Sequence, residues 1–193
     1  MEPKTGLLIW WILTMILGMT CRPTDRTVTL QNNRKCDVIH RIDVTKHRMK
    51  VLLNTFNIIN KNPGPWMEPI SELDLKNLTH KEKLHKAQCG LHYMEQAVEM
   101  IRKHQDDLHA PVTHIPNSIA TDLDRTRECV KHAIGHCKNK TKPEFSYPHT
   151  YERKQWGGTV LNISVDFLDE LVKVIEHEMS KSHKSNNHSI NTA

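Results

Sequence analysis

Four stretches of this chain repeat their apolar residues at intervals of three and four, and no stretch of useful length repeats them at two. Helices are therefore the regular element this sequence can build, and the fold class expected is all-α. The first stretch runs from about Asp37 to Asn60, where Ile42, Met49, Leu52, Phe56 and Ile59 form a stripe that Leu53 widens. The run "NPGP" at 62–65 stops it. The second opens near Thr79, where Thr79-His-Lys-Glu82 fits a capping box: hydroxyl and carboxylate each take a free amide of the first turn. Leu84, Ala87, Leu91, Met94, Val98 and Ile101 carry it on; the pattern fades at Leu108 and Pro111 closes it. The third begins after Pro116 with Asn117 or Ser118 as cap, shows Ile119, Leu123, Val130 and Ile134, and ends at Gly135. The fourth spans about Thr159 to Ser180, with Val165, Leu168, Val172, Ile175 and Met179 as its seam and Leu171 and Val174 beside it. "QWGG" at 155–158 reads as the loop before it, and "RTVTL" at 26–30 is too short to count as a strand.

The connections constrain the arrangement. About 18 residues separate the first and second stretches, about eight the second and third, and about 20 the third and fourth. A helix of ~24 residues is ~36 Å long, and extended chain covers ~3.3 Å per residue. Each long connection can travel the length of a bundle and start the next helix in the same direction, whereas the short one suits antiparallel neighbours. Long, short, long predicts an up-up-down-down four-helix bundle with two long crossover loops.

The first 20 residues read as a signal peptide. Lys4 gives a positive start, Leu7 to Leu17 an apolar run too short to span a bilayer, and Gly18 and Thr20 the small residues before a cleavage site. Residues 21–35 then form an N-terminal extension, 36–181 the helical domain, and 182–193 a polar tail expected to be disordered. Four sequons agree with passage through a secretory pathway: Asn77-Leu-Thr79, Asn139-Lys-Thr141, Asn162-Ile-Ser164 and Asn187-His-Ser189. The expectation is a secreted, extracellular, glycosylated monomer with no membrane insertion of the mature chain. The formal charge of +5 is scattered rather than clustered among aromatics, so no nucleic-acid partner is expected.

In an oxidising compartment Cys36, Cys89, Cys129 and Cys137 should pair, with Cys21 at the cleavage boundary. Cys129 and Cys137 are eight residues apart, ~12 Å along a helix axis, whereas bridged Cα atoms lie within about 7 Å. They should not pair with each other. Two pairings remain. With all helix ends assumed level at the base, Cys36–Cys137 and Cys89–Cys129 match in height; Cys36–Cys129 with Cys89–Cys137 mismatches both by about two turns. The first pairing is the expectation.

Nothing in the sequence calls for catalysis. His132 and His136 share a helix face, but a zinc site needs further ligands. "HEMSK" at 177–181 begins like HExxH, yet Lys181 stands in place of the second histidine. No GxSxG, P-loop or GxGxxG is present. No enzyme activity, cofactor or metal is expected. Among the charged faces, helix four offers the better contact surface: Asp166, Asp169, Lys173 and Glu176 run in a stripe beside its core seam.

Taken together, these features resemble the helical cytokine superfamily, most of all the short-chain interleukin-2, interleukin-4, interleukin-15 and interleukin-21 group. "CDVIHRIDVTKHRMKVLLNTF" resembles a first helix of that group, "HKAQCGLHYMEQAVEMI" a cysteine-bearing second, and "NISVDFLDELVKVIEHEMS" a last. The resemblance implies a ligand that bridges single-pass receptor chains through its first and last helices and triggers kinase signalling. It nominates Arg41, Lys46 and Arg48 on helix one and, within the stripe on helix four, Asp169, Lys173 and Glu176. The alternatives are an interferon-like or erythropoietin-like ligand, or a secreted carrier holding a small apolar ligand or a metal inside the bundle.

Overall fold

The structure is a computed structural model and describes residues 36–107, 117–144 and 148–188. The stretch expected to be a signal peptide, residues 21–35 with Cys21, and 189–193 lie outside the described residues. Among the described residues the elements are α1 (Val38–Asn60), α2 (His80–Asp107), α3 (Asn117–Ile134), α4 (Thr150–His188) and a short 3-10 turn at Ser71–Leu73, with no strand. No helix among them is long and apolar enough to cross a membrane.

The first two helices begin where the sequence supplies a cap. The Asp37 carboxylate accepts from the His40 amide at 3.0 Å, and α1 starts one residue later. At α2 the capping box forms in both directions: the Thr79 amide and hydroxyl donate to the Glu82 carboxylate at 2.8 and 2.6 Å, and the Glu82 amide reaches the Thr79 hydroxyl at 3.4 Å. These bonds favour the charged carboxylate and hold Glu82 below the usual carboxylate range. α1 ends on Lys61 in the left-handed region (φ 58°), whose amide returns to the carbonyls of Asn57 and Ile58.

The stripes read from the sequence meet in one core. Ile42, Met49, Phe56, Leu91, Met94, Ile101, Leu123, Leu168, Leu171 and Ile175 are all buried; Met179, at the end of the α4 seam, is exposed. α1 and α2 each pack chiefly against α3 and α4. Residue numbers rise along one partner as they fall along the other. Arg48 meets Asp122 and Thr45 meets Thr126; Lys46 meets Asp169, and a Cβ at Gly157 would touch Phe56. In the same way Gln88 meets Ile134 and Glu95 meets Arg127, while His80 meets Glu178 and Gly90 faces Phe167.

The first long connection crosses over the start of α4. The Trp66 amide donates to the Thr159 hydroxyl at 2.8 Å and the Gln155 side-chain amide to the Pro65 carbonyl at 3.3 Å. It then tucks Ile70, Leu73 and Leu75 into the core beside α2.

Three expectations need correcting. α4 begins at Thr150, so Gly157 and Gly158 lie inside a helix and not in a loop. Packing explains the two glycines: a Cβ at Gly157 would stand 3.0 Å from the Phe56 ring, and one at Gly158 3.4 Å from it. Their absence lets the ring lie on the α4 backbone, which offsets the ~1 kcal/mol that each glycine costs in a helix interior. At its other end α4 runs on through His188, past the point where composition suggested a disordered tail. No proline or glycine interrupts 181–188, and propagation adds one backbone bond for each residue fixed.

The third correction concerns the cysteines. The disulfides are Cys36–Cys129 and Cys89–Cys137, with Cα separations of 5.8 and 4.9 Å, and not Cys36–Cys137 with Cys89–Cys129. The assumption that failed is a shared base. The Thr126 hydroxyl stands opposite Thr45 and the Arg41 carbonyl, which puts Cys129 at the mouth of α1. The rest of α3 runs past that mouth to α2, where the Gln88 side-chain amide caps the Ile134 carbonyl and Cys137 finds Cys89 one residue on.

Candidate functional site

The residues nominated for binding divide between two sides of α1. On the α4 side, Lys46 reaches across the seam: its ammonium lies 2.8 Å from Asp169 and 3.0 Å from Asp43 on its own helix. Those two carboxylates, Asp169 first, hold the Lys46 ammonium above the usual lysine range. Arg48 faces the other way and pairs with the buried carboxylate of Asp122 on α3. Arg41, seven residues earlier and so on the same side of α1, offers its backbone carbonyl to Thr126. The structure thus brings Lys46 to the α4 stripe and sets Arg41 and Arg48 over the α1–α3 groove.

On α4, Asp166, Lys173 and Glu176 are exposed and Asp169 half-exposed, so the stripe faces solvent along the edge of the core. Lys173 pairs with Glu170 at 2.6 Å, one turn back, which raises its pKa. Sequence reasoning missed two exposed apolar side chains on the outer face of α1. Val51 and Ile58, seven residues apart on one face of α1, are 53 % and 78 % exposed. The available signal was that both fall outside the core stripe of α1.

The sequons fall on solvent-facing positions where side chains are described. Asn77 is exposed in a turn with φ 57°, and Asn139 in a bend. Asn162 is exposed on α4 and stands in line with Asp166, Asp169, Lys173 and Glu176 at helical spacing. Its sequon partner Ser164 is buried, and the Ser164 hydroxyl finds no hydrogen-bond partner among the described residues. Asn187 falls in the last turns of α4.

Two further features bear on chemistry. A surface cleft of about 610 Å³ opens beside the long connections and is lined by Trp66, Glu72, Tyr93, Lys140, Lys142 and Trp156 among others. Burial pushes the Tyr93 phenol up to about 12, with the Glu72 charge adding to it. The second feature joins residues far apart in sequence: His80, at the start of α2, meets His177 and Glu178 of α4. The HE pair at 177–178 was legible, but its third member comes from another helix. His132 and His136 are both exposed near the end of α3.

No family model, no curated protein and no solved structure matches this chain.

Proposed function

We propose that this protein is a secreted, cytokine-like signalling ligand with up-up-down-down topology, which engages single-pass cell-surface receptor chains through α1 and α4. The opposite running of α1 against α3 and α4, and of α2 against the same two helices, supports that topology. So do the connections of 61–79 and 135–149, each long enough at ~3.3 Å per residue to pass along a helix of ~35 Å. Two disulfides and exposed sequons suit an oxidising, extracellular setting.

The observation that carries the reading is the α1–α4 face. Lys46 and Asp169 bridge the seam, and an unbroken line of charges extends from it along α4. Val51 and Ile58 add exposed apolar area on the outer face of α1, about a third of a turn round the helix from Lys46. A line of fixed charge of this kind orients a partner and speeds its approach. The two α1 arginines over the α1–α3 groove would serve a second receptor chain on a separate face.

The test uses the purified, disulfide-intact, fluorescently labelled protein on cells that bind it saturably. Asp169→Arg combined with Glu176→Lys should leave the circular dichroism and melting temperature close to wild type and weaken binding by about tenfold or more. Unchanged binding in that variant would sink the surface assignment.

A further inference from the structure

We propose that His80, His177 and Glu178 form a binding site for a divalent late transition-metal ion of the zinc class. The site lies at the junction of the α2 start with the later turns of α4. One ligand atom from each residue falls within 4.8 Å of the others. His177 Nδ1 is 3.3 Å from His80 Nε2 and 3.9 Å from Glu178 Oε1, and His80 Nε2 contacts Glu178 Oε1 directly. Zinc bonds of ~2.0–2.2 Å in a tetrahedron place neighbouring donor atoms ~3.3–3.5 Å apart. Small rotations of two partly exposed side chains would set all three donors on one ion.

The donor set selects the metal. Two imidazole nitrogens and one carboxylate oxygen suit zinc, copper or nickel, whereas calcium and magnesium require all-oxygen shells. Three protein ligands leave a coordination position open, and His177 is 53 % exposed, so that position faces solvent. The supports are rigid. His80 lies within the Thr79–Glu82 capping box, and His177 and Glu178 sit within a continuous helix.

One group competes. The Lys181 ammonium lies 3.5 Å from Glu178 Oε1 and occupies the i+4 place where HExxH carries its second histidine. Its side chain is 56 % exposed and free to swing into solvent when a dication arrives. Nothing in this site depends on the receptor-binding face, and the proposal stands or falls apart from it.

The experiment is calorimetric titration of the full, disulfide-intact, chelator-treated protein with zinc chloride at about neutral pH. One saturable site is expected. His80→Ala and His177→Ala should each weaken it by about tenfold or more, and His132→Ala should not. Lys181→Met, which removes the competing cation, should strengthen binding several-fold. Magnesium and calcium should fail to displace the zinc. With 14 histidines in the chain, adventitious binding is the rival outcome. A His80→Ala/His177→Ala double variant that binds as tightly as wild type would overturn the assignment, as would unchanged affinity in Lys181→Met. If the histidine variants fold poorly, imidazole nitrogen shifts in the wild-type protein decide the matter. Zinc must move the resonances of His80 and His177 first; prior movement of any other pair overturns the site.

Discussion

Where α1 begins, two disulfides hold the molecule: one joins it to α3, and the other joins α3 to α2 a little beyond. Where α1 ends, the described residues are held by packing and hydrogen bonds. Phe56 lies on the paired glycines of α4, and the Asn60 side-chain amide donates to the Phe56 carbonyl and to Gln105 of α2 at 3.0 and 3.2 Å. A disulfide acts mainly on the unfolded chain, whose freedom it removes, and it tolerates some looseness in the fold around it. Ring-on-backbone packing acts on the folded state alone and tolerates almost none. The two ends should therefore respond in opposite ways to reduction and to mutation. Reduction should raise amide exchange around the α3–α2 junction before it does so around Asn60, by native-state hydrogen exchange; the reverse order would contradict the contrast.

The largest effect is expected at the packed end. Phe56→Ala should cost ~3–5 kcal/mol by urea denaturation, because it removes a ring with 2 % exposure and leaves the two glycines facing a void. Next come the crosslinks, at ~2–4 kcal/mol each. Their sequence separations are 93 and 48 residues, so loop entropy makes removal of Cys36–Cys129 the costlier by ~0.6 kcal/mol. Double Cys→Ala variants measured side by side test this, and a clear reversal would locate the benefit in native packing instead. Asn60→Ala should follow at ~1–3 kcal/mol, since it leaves the buried Gln105 without that partner.

The smallest expected effect is at the α1–α4 seam. Lys46→Met should cost no more than ~1 kcal/mol, because Asp169 remains 47 % exposed and water screens the pair. The Lys46 pKa is raised by folding above its usual 10.5, so the pair's contribution is fully present below that pH and fades as pH climbs through the folded value. Melting temperatures of wild type and Lys46→Met should differ by a constant amount near neutral pH and converge in strong alkali.

Much of the fold was legible because its causes are local. The capping box at Thr79 and the apolar stripes act within a few residues of themselves, and the first three helices formed where those signals stand. The start of α4 was misread because two glycines look like a loop until Phe56, about a hundred residues earlier, is known to need them bare. The disulfide pairing failed for a related reason. Both pairings were sterically open, and what separates them is how far α3 slides past α1, a register fixed by contacts such as Thr45 with Thr126. For the candidate sites the same division holds. The α4 stripe follows from helical spacing, whereas the side of α1 that Arg48 takes depends on Asp122, and the partner of the HE pair depends on the α2–α4 register.

Ser164 carries one more consequence. Attachment of an N-linked sugar at Asn162 requires the enzyme to read the hydroxyl two residues on, and in the folded protein that hydroxyl is sealed in the core. Any sugar there would have to be added while this part of the chain is still unfolded. In the secreted glycoprotein proposed above, occupancy at Asn162 would then be a race between glycan transfer and the docking of α4. Under that proposal, faster folding would leave more molecules whose charged stripe is bare at its Asn162 end, and slower folding would cloak it, with the amino-acid sequence unchanged.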